Sequence, residues 1–404
     1  MKKFLISFYD AFTRQFSLVI HDLGVLIFLF LLPLAYPIVY SLIYNPEVVR
    51  DVAVVVVDND RSANSRELTR RLDAAQGFYV KGYAANLNEA KHAMNSHEAY
   101  GILEIPDGFD RRLENDEQGI AVLYCEMSLM LRYKALLVSA TDVMQEFGGV
   151  ITAERIDRIA PLAETISDGN IMPVENIAMG NIKSGFDSFV MPGILILILQ
   201  QSLMLAIGMC GGAIRENPRK ANYNPVTGRP GPAMAMFAQA AVYFIIMLAP
   251  MMFLTHYVPL IFRFPMAGND FQILLFLVPL VLATIGMGFV LQGIVRERES
   301  VFVIWVATSV VFLFLSGLTW PRYAMNGFWL ALSDCVPGTW GVEGFIRMNT
   351  NGASLAQVRE CYINLWILAA VYMALGYIVH RFVERPAVKR AMKESLPAKS
   401  ATSN

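Results

Sequence analysis

Residues 23–44 read LGVLIFLFLLPLAYPIVYSLIY and contain no charged side chain. As a helix at 1.5 Å per residue this stretch is about 33 Å long, enough to cross the hydrocarbon core of a bilayer. The next charge-free apolar stretch of that length begins only at Phe189. Between them, residues 45–185 are polar and of mixed charge, and they read as a soluble domain. The chain is therefore expected to have one span, one large domain on one side of a membrane, and then a block of further spans.

Composition agrees, with 55% of residues hydrophobic and 17% charged. Five more candidate spans come after the domain: Phe189–Ile214, Ala233–Tyr257, Phe271–Val295, Val301–Trp320 and Cys361–Val379, all free of Asp, Glu, Lys and Arg. The fold class expected is an α-helical membrane protein with six transmembrane helices, plus an inserted extracytoplasmic mixed α/β domain. Its segments are an interfacial helix (1–22), the first span (23–44), the inserted domain (45–185), five spans (186–382) with an outward re-entrant segment near 321–360, and a cytoplasmic tail (383–404).

Orientation comes from Lys and Arg in the short segments flanking the spans. One side holds Lys2, Lys3, Arg14, Arg215, Arg219, Lys220, Arg229, Arg296 and Arg298, then Arg381, Arg385, Lys389, Arg390, Lys393 and Lys399. The other side's short loops hold Arg263, Arg322, Arg347 and Arg359. This bias places both termini in the cytoplasm and residues 45–185 outside. Asp10, Arg14 and Asp22 interrupt the stretch after Lys2-Lys3, so the first span reads as an uncleaved anchor. No basic stripe with interleaved aromatics suggests a nucleic-acid partner.

Phe4, Phe8, Phe12 and Phe16 recur every four residues among polar positions. That spacing predicts an amphipathic helix over 3–20, lying in the inner headgroup layer or packed on protein. In the inserted domain, the β-branched run Val52–Val57 predicts a strand buried on both faces. Strands are also expected at Phe78–Tyr83, Tyr100–Ile105 and Ile120–Cys125. Helices are expected at Ser62–Ala75, Leu87–Asn95, Phe109–Leu113 and Leu131–Ile159, the last with a weak point at Gly148-Gly149. This alternation favours a small α/β sheet. In 321–360 no apolar run is long enough to cross, and Trp320, Trp329 and Trp340 suit an interface belt, so short helices dipping into the outer leaflet are expected.

Sites of chemistry are sparse. No phosphate-cradling G-x-x-x-x-G-K-[ST] loop occurs, nor H-E-x-x-H, C-x-x-C or G-x-S-x-G, so no enzyme activity and no metal site are expected. His92 and His97 are poorly spaced for one metal, and Asp58 and Asp60 read as turn formers rather than ligands with Glu104. The apolar stretches contain Gln200, Gln201, Gln239 and Gln292 but no Asp, Glu, Lys or Arg, which argues against an ion-coupled carrier. These glutamines are candidates for pathway lining, or for hydrogen bonds between helices. Cys335 and Cys361 bracket one outward segment and could pair as a disulfide in an oxidising compartment, the plainer reading being two free thiols. The charged loops at Arg215, Glu216, Arg219 and Lys220, and at Arg296, Glu297 and Arg298, read either as topogenic charge or as a docking surface for a soluble motor.

Four stretches resemble the ABC-2 type permeases, in the branch with a large extracytoplasmic domain after the first helix. They are Val54-Val55-Val56-Val57-Asp58-Asn59-Asp60 with Ser62 and Ser65, Gly101-Ile102-Leu103-Glu104-Ile105-Pro106-Asp107-Gly108-Phe109, Arg215-Glu216 with Pro225, and Ser316-Gly317-Leu318 with Pro321. The chain departs from the family after Arg215-Glu216. There Asn217-Pro218-Arg219-Lys220 replaces an acidic, Gly-Thr-containing run.

The resemblance implies the membrane-spanning permease subunit of an ATP-binding cassette exporter in a bacterial inner membrane. It moves a hydrophobic or amphiphilic substrate such as a drug, lipid, polysaccharide or peptide. ATP is bound by a partner, and the chain itself holds no cofactor. Implied partners are cytoplasmic ATPase subunits, a second permease subunit (identical or sibling), a periplasmic adaptor and membrane lipids. The rival reading is a membrane-anchored extracytoplasmic binding or assembly protein, for which six spans would be more than an anchor needs.

Overall fold

A computed structural model describes residues 2–44, 48–115, 117–159, 180–181, 185–216, 231–384 and 386. Arg219, Lys220 and the rest of the 217–230 loop lie outside the described residues, as do most of 161–185 and the tail beyond 386. The chain divides into two compact units, residues 46–177 and residues 1–45 with 178–404.

In the 46–177 unit four strands, β1 (Val52–Asp58), β2 (Phe78–Tyr83), β3 (Gly101–Ile105) and β4 (Val122–Cys125), form one sheet in the order β2-β1-β3-β4. β1 is parallel to both β2 and β3, and β4 closes the other edge antiparallel to β3. The valine run of β1 serves both faces. Val52, Val54 and Val56 enter one core with Leu68, Leu72, Leu136 and Phe147, while Val55 and Val57 enter a second with Ala90 and Ile102. Two-sided burial leaves no place for polar alternation, which explains the run.

The helices here are α3 (Ala63–Asp73), α4 (Leu87–Asn95), α5 (Phe109–Glu114) and α6 (Met130–Ile159). Ser62 caps α3 by accepting from Ser65 N–H at 3.1 Å, and Asn86 caps α4 by accepting from Glu89 N–H at 2.9 Å. α6 runs unbroken through Gly148-Gly149, contrary to the expected weak point.

The other unit is a helical bundle. α1 (Lys2–Ile20) leads to α2 (Leu23–Ile43), then α7 (Phe186–Glu216), α8 (Pro232–Phe262), α9 (Asp270–Ile294), α10 (Ser300–Leu315), α11 (Gly327–Asp334), α12 (Pro337–Asn349) and α13 (Arg359–Val383). Wider π turns interrupt α2 at Ile27–Leu31 and α8 at Phe253–Tyr257. α7 is almost wholly buried and packs against α2, α9, α10 and α12. α1 lies on α8, where Gln15 donates to the Tyr243 hydroxyl at 3.0 Å. Of the two placements expected for the amphipathic helix, packing on protein is therefore present.

Among the described residues five helices are long and apolar enough to cross a membrane: α2, α7, α8, α9 and α13. The remaining expected span appears as α10, apolar but only 16 residues long. At 1.5 Å per residue that is about 24 Å, short of the roughly 30 Å hydrocarbon core.

The segment 321–360 differs from expectation in one respect. α11 is a short, largely exposed helix, but ten of the thirteen residues of α12 are buried, against α7, α9 and α13. Small residues allow this. A Cβ at Gly341 would come within 2.9 Å of Leu280, and one at Gly344 would collide with Phe276. Trp320 and Trp329 are exposed as an interface belt requires. Trp340 is instead buried and donates to the Asp334 carbonyl at 3.1 Å.

Candidate functional site

At one end of the bundle Arg298, one of the charged residues singled out from the sequence, meets Asp22. This residue sits between α1 and α2, where its Oδ1 accepts from Gly24 N–H at 3.1 Å and Val25 N–H at 3.3 Å, capping α2. The same carboxylate takes both arms of the Arg298 guanidinium, at 3.0 and 2.5 Å. Only 12% of the Asp22 side chain and 27% of that of Arg298 is exposed. A bidentate, charge-assisted pair so shielded is stronger than an open surface pair.

The end of α7 reaches the same turn. Glu216 accepts from the backbone N–H of Arg298 at 2.7 Å, and Arg215 donates to the carbonyls of Val295 and, at 3.4 Å, Gly293. Those carbonyls belong to the end of α9, where a cation is favoured by unpaired acceptors and the helix dipole. Gly24 and Gly212 complete the joint. A Cβ on Gly24 would strike the Arg298 guanidinium, and one on Gly212 would lie 2.7 Å from Arg298 Cα. A cavity of about 250 Å³ lies beside it, lined by Ser17, Leu18, His21, Asp22, Cys210, Ala213 and Ile214.

Of the residues expected to face a motor, Arg215, Glu216 and Arg298 are thus committed to bonds within the bundle. Arg296 and Glu297 are exposed. Asp22 is the centre of the site. Its sole sequence signal was its place directly before Leu23, where a helix cap is expected.

The glutamines do not form one site. Gln200 and Gln201 are buried within α7, Gln239 is half-buried on α8, and Gln292 is buried on α9 with its side chain laid on Gly211. Gly211 is eleven positions from Gln200, about 16 Å along α7. Gln200 abuts Gly338 of α12, and neither Gln200 nor Gln201 has a side-chain hydrogen-bond partner among the described residues. The interhelical amide bonds considered from the sequence are therefore not made by this pair.

The opposite end has its own arginine. Arg322 pairs with Asp334, pairs with Glu343 at 2.8 Å, and lies 4.3 Å from the Trp340 ring centroid. In the sequence Arg322 stands out only as an orientation charge. Cys335 and Cys361 are free thiols, the plainer of the two readings the sequence allows. Their surroundings differ: Cys335 is exposed with its Sγ on the Ala331 carbonyl, whereas Cys361 is buried in the bundle core.

In the 46–177 unit the first two sequence stretches meet. Asn59 N–H donates to the Ile105 carbonyl at 3.0 Å, joining the ends of β1 and β3. Asp58 accepts from Asp60 N–H, Arg61 N–H and the Ser65 hydroxyl, so it forms a turn. Asp60 accepts from Asp110 N–H at 3.2 Å, and Gly108, at φ +78°, starts the helix that presents this amide. Partial burial pushes the Asp60 carboxyl up, but bonds from Ser62 and from the amides of Asp110, Gly108 and Phe109 outweigh it and hold the pKa low. Glu104 accepts from the Tyr124 hydroxyl at 3.0 Å. Asp58, Asp60 and Glu104 are thus engaged in separate bonds, and among the described residues no cluster of three or more His, Cys, Asp or Glu is placed to hold a metal ion.

Compared with known proteins, the chain matches a family model described as ABC-2 family transporter protein over residues 23–378. The match runs from the start of α2 into α13 and so takes in both units. No curated protein matches the chain.

Proposed function

Since the chain belongs to the ABC-2 family of transporter proteins and is a multi-pass membrane component of an ABC transporter, we propose that it is the permease subunit of an exporter powered by a separate ATPase chain. The observation that carries the reading is the joint at Asp22, Arg298, Arg215 and Glu216. It gathers the ends of α2, α7 and α9 at one face of the bundle and leaves Arg296 and Glu297 exposed beside it. That is the arrangement a soluble motor needs if it is to move several spans from one docking surface. The apolar stretches of the spans hold no Asp, Glu, Lys or Arg, which supports a drive supplied from outside the bilayer.

In this reading the Arg298 face is cytoplasmic, as the basic bias requires. α10 crosses despite its length by locally thinning the bilayer or pairing with a second permease subunit, which keeps both termini on one side. Residues 46–177 are then extracytoplasmic, and gate release or receive a periplasmic adaptor. The cargo is hydrophobic or amphiphilic, and the chain binds no ATP itself. Gln200, next to α12, offers amide groups to a polar part of the cargo.

The test is purification in mild detergent. A nucleotide-hydrolysing chain should co-elute, and the present chain freed of it should show only background ATP turnover. ATP hydrolysis by the isolated chain, abolished by a substitution within it, would overturn the proposal.

A further inference from the structure

Two other segments, far apart along the chain, meet at Arg298: the junction of α1 and α2, and the end of α7. Asp22 holds its guanidinium, Glu216 holds its backbone N–H, and Gly212 touches its Cα position so closely that no Cβ fits. Asp22 cannot shift without releasing both the Arg298 pair and the cap of α2. Beyond the cap, α2 changes to a π turn at Ile27–Leu31, a wider helical form common where helices yield.

We infer that Asp22 and Arg298 are a positioning clasp: α1, the first turn of α2, the end of α7 and the turn 295–299 move as one body, and the π turn at 27–31 absorbs the displacement. A push on the exposed Arg296–Glu297 turn then reaches α1 and the first span directly. The inference deepens the permease reading and rests on it, because it concerns how motion from a motor would be passed on.

The test uses the complex purified with its ATPase, in lipid nanodiscs, comparing amide hydrogen exchange without nucleotide and after trapping with ATP and orthovanadate. In the wild type, residues 2–20 and residues 295–299 should both change their exchange on trapping. Arg298→Gln should abolish the change in 2–20 while 295–299 still responds. Asp22→Asn should do the same, and it retains a cap acceptor for α2. Arg298→Lys, which keeps the charge, should restore part of the response. Unchanged exchange in residues 270–294 shows that the variants are folded. The inference is overturned if residues 2–20 respond in Arg298→Gln as in the wild type, or stay silent in the wild type while 295–299 responds. A chain that purifies without any ATPase sinks the permease reading and the clasp with it.

Discussion

Two aspartates do similar local work in the two units with different partners. Asp60 gathers backbone amides at the start of α5, a turn organised around neutral dipoles. Asp22 also accepts backbone amides, but it adds a cation from a distant part of the chain. The first arrangement is finished once β1 and β3 pair in register. The second exists only after three helices have come together. Each unit is therefore vulnerable in its own place: the α/β unit in its strand register, the bundle in a few side-chain and glycine contacts at its end.

Breaking the cation at Asp22 should have the largest effect. Arg298→Ala leaves a largely shielded carboxylate without its partner and should cost about 2–3 kcal/mol, read by denaturation in mild detergent. A cost below about 0.5 kcal/mol would reduce the pair to an ordinary surface contact. Gly212→Ala should come next, at about 1–2 kcal/mol, because the added Cβ must displace the Arg298 backbone rather than a flexible side chain. A neutral result there would mean the joint is looser than its geometry.

At the other end, Arg322→Ala should cost about 1 kcal/mol. Asp334 and Glu343 are 46% and 36% exposed and can be taken up by water, so chiefly the partial shielding and the Trp340 contact are lost. An effect as large as that of Arg298→Ala would erase the contrast between the ends.

Asp60→Ala should be comparable or smaller, about 1 kcal/mol, and its signature is acid dependence. Residues 46–177, with two cores of their own, should fold when expressed alone. The folded Asp60 carboxyl titrates below its unfolded value. Its contribution is therefore present above the ordinary carboxylate range and is lost as pH falls through the folded value. Circular dichroism of this unit during acid titration should show the variant losing less stability on acidification than the wild type. Equal slopes would remove Asp60 from the account.

These contrasts mirror how legible each region was in the residues. In the α/β unit every expected strand and helix appears, most within a residue or two of its expected ends, because the signals are short-range: the valine run of β1 and Asp58 and Asp60 as turn formers after it. The apolar helices were legible for the same reason, since hydropathy is a property of a window about twenty residues long. Arg215, Glu216 and Arg298 read from the sequence as topogenic charge or a docking surface, and the bonds they make within the bundle depend on packing that the sequence does not show.

Local periodicity and composition alone located the apolar helices, ordered the α/β elements and marked the polar ends of the helices. Which helices are neighbours came only with packing. Packing pairs Asp22 with Arg298, sets Gly212 against a turn, buries Trp340 and α12, and buries Cys361 while leaving Cys335 exposed. A side chain's partner across many tens of residues depends on how whole helices pack against one another, and no short window of sequence carries that information.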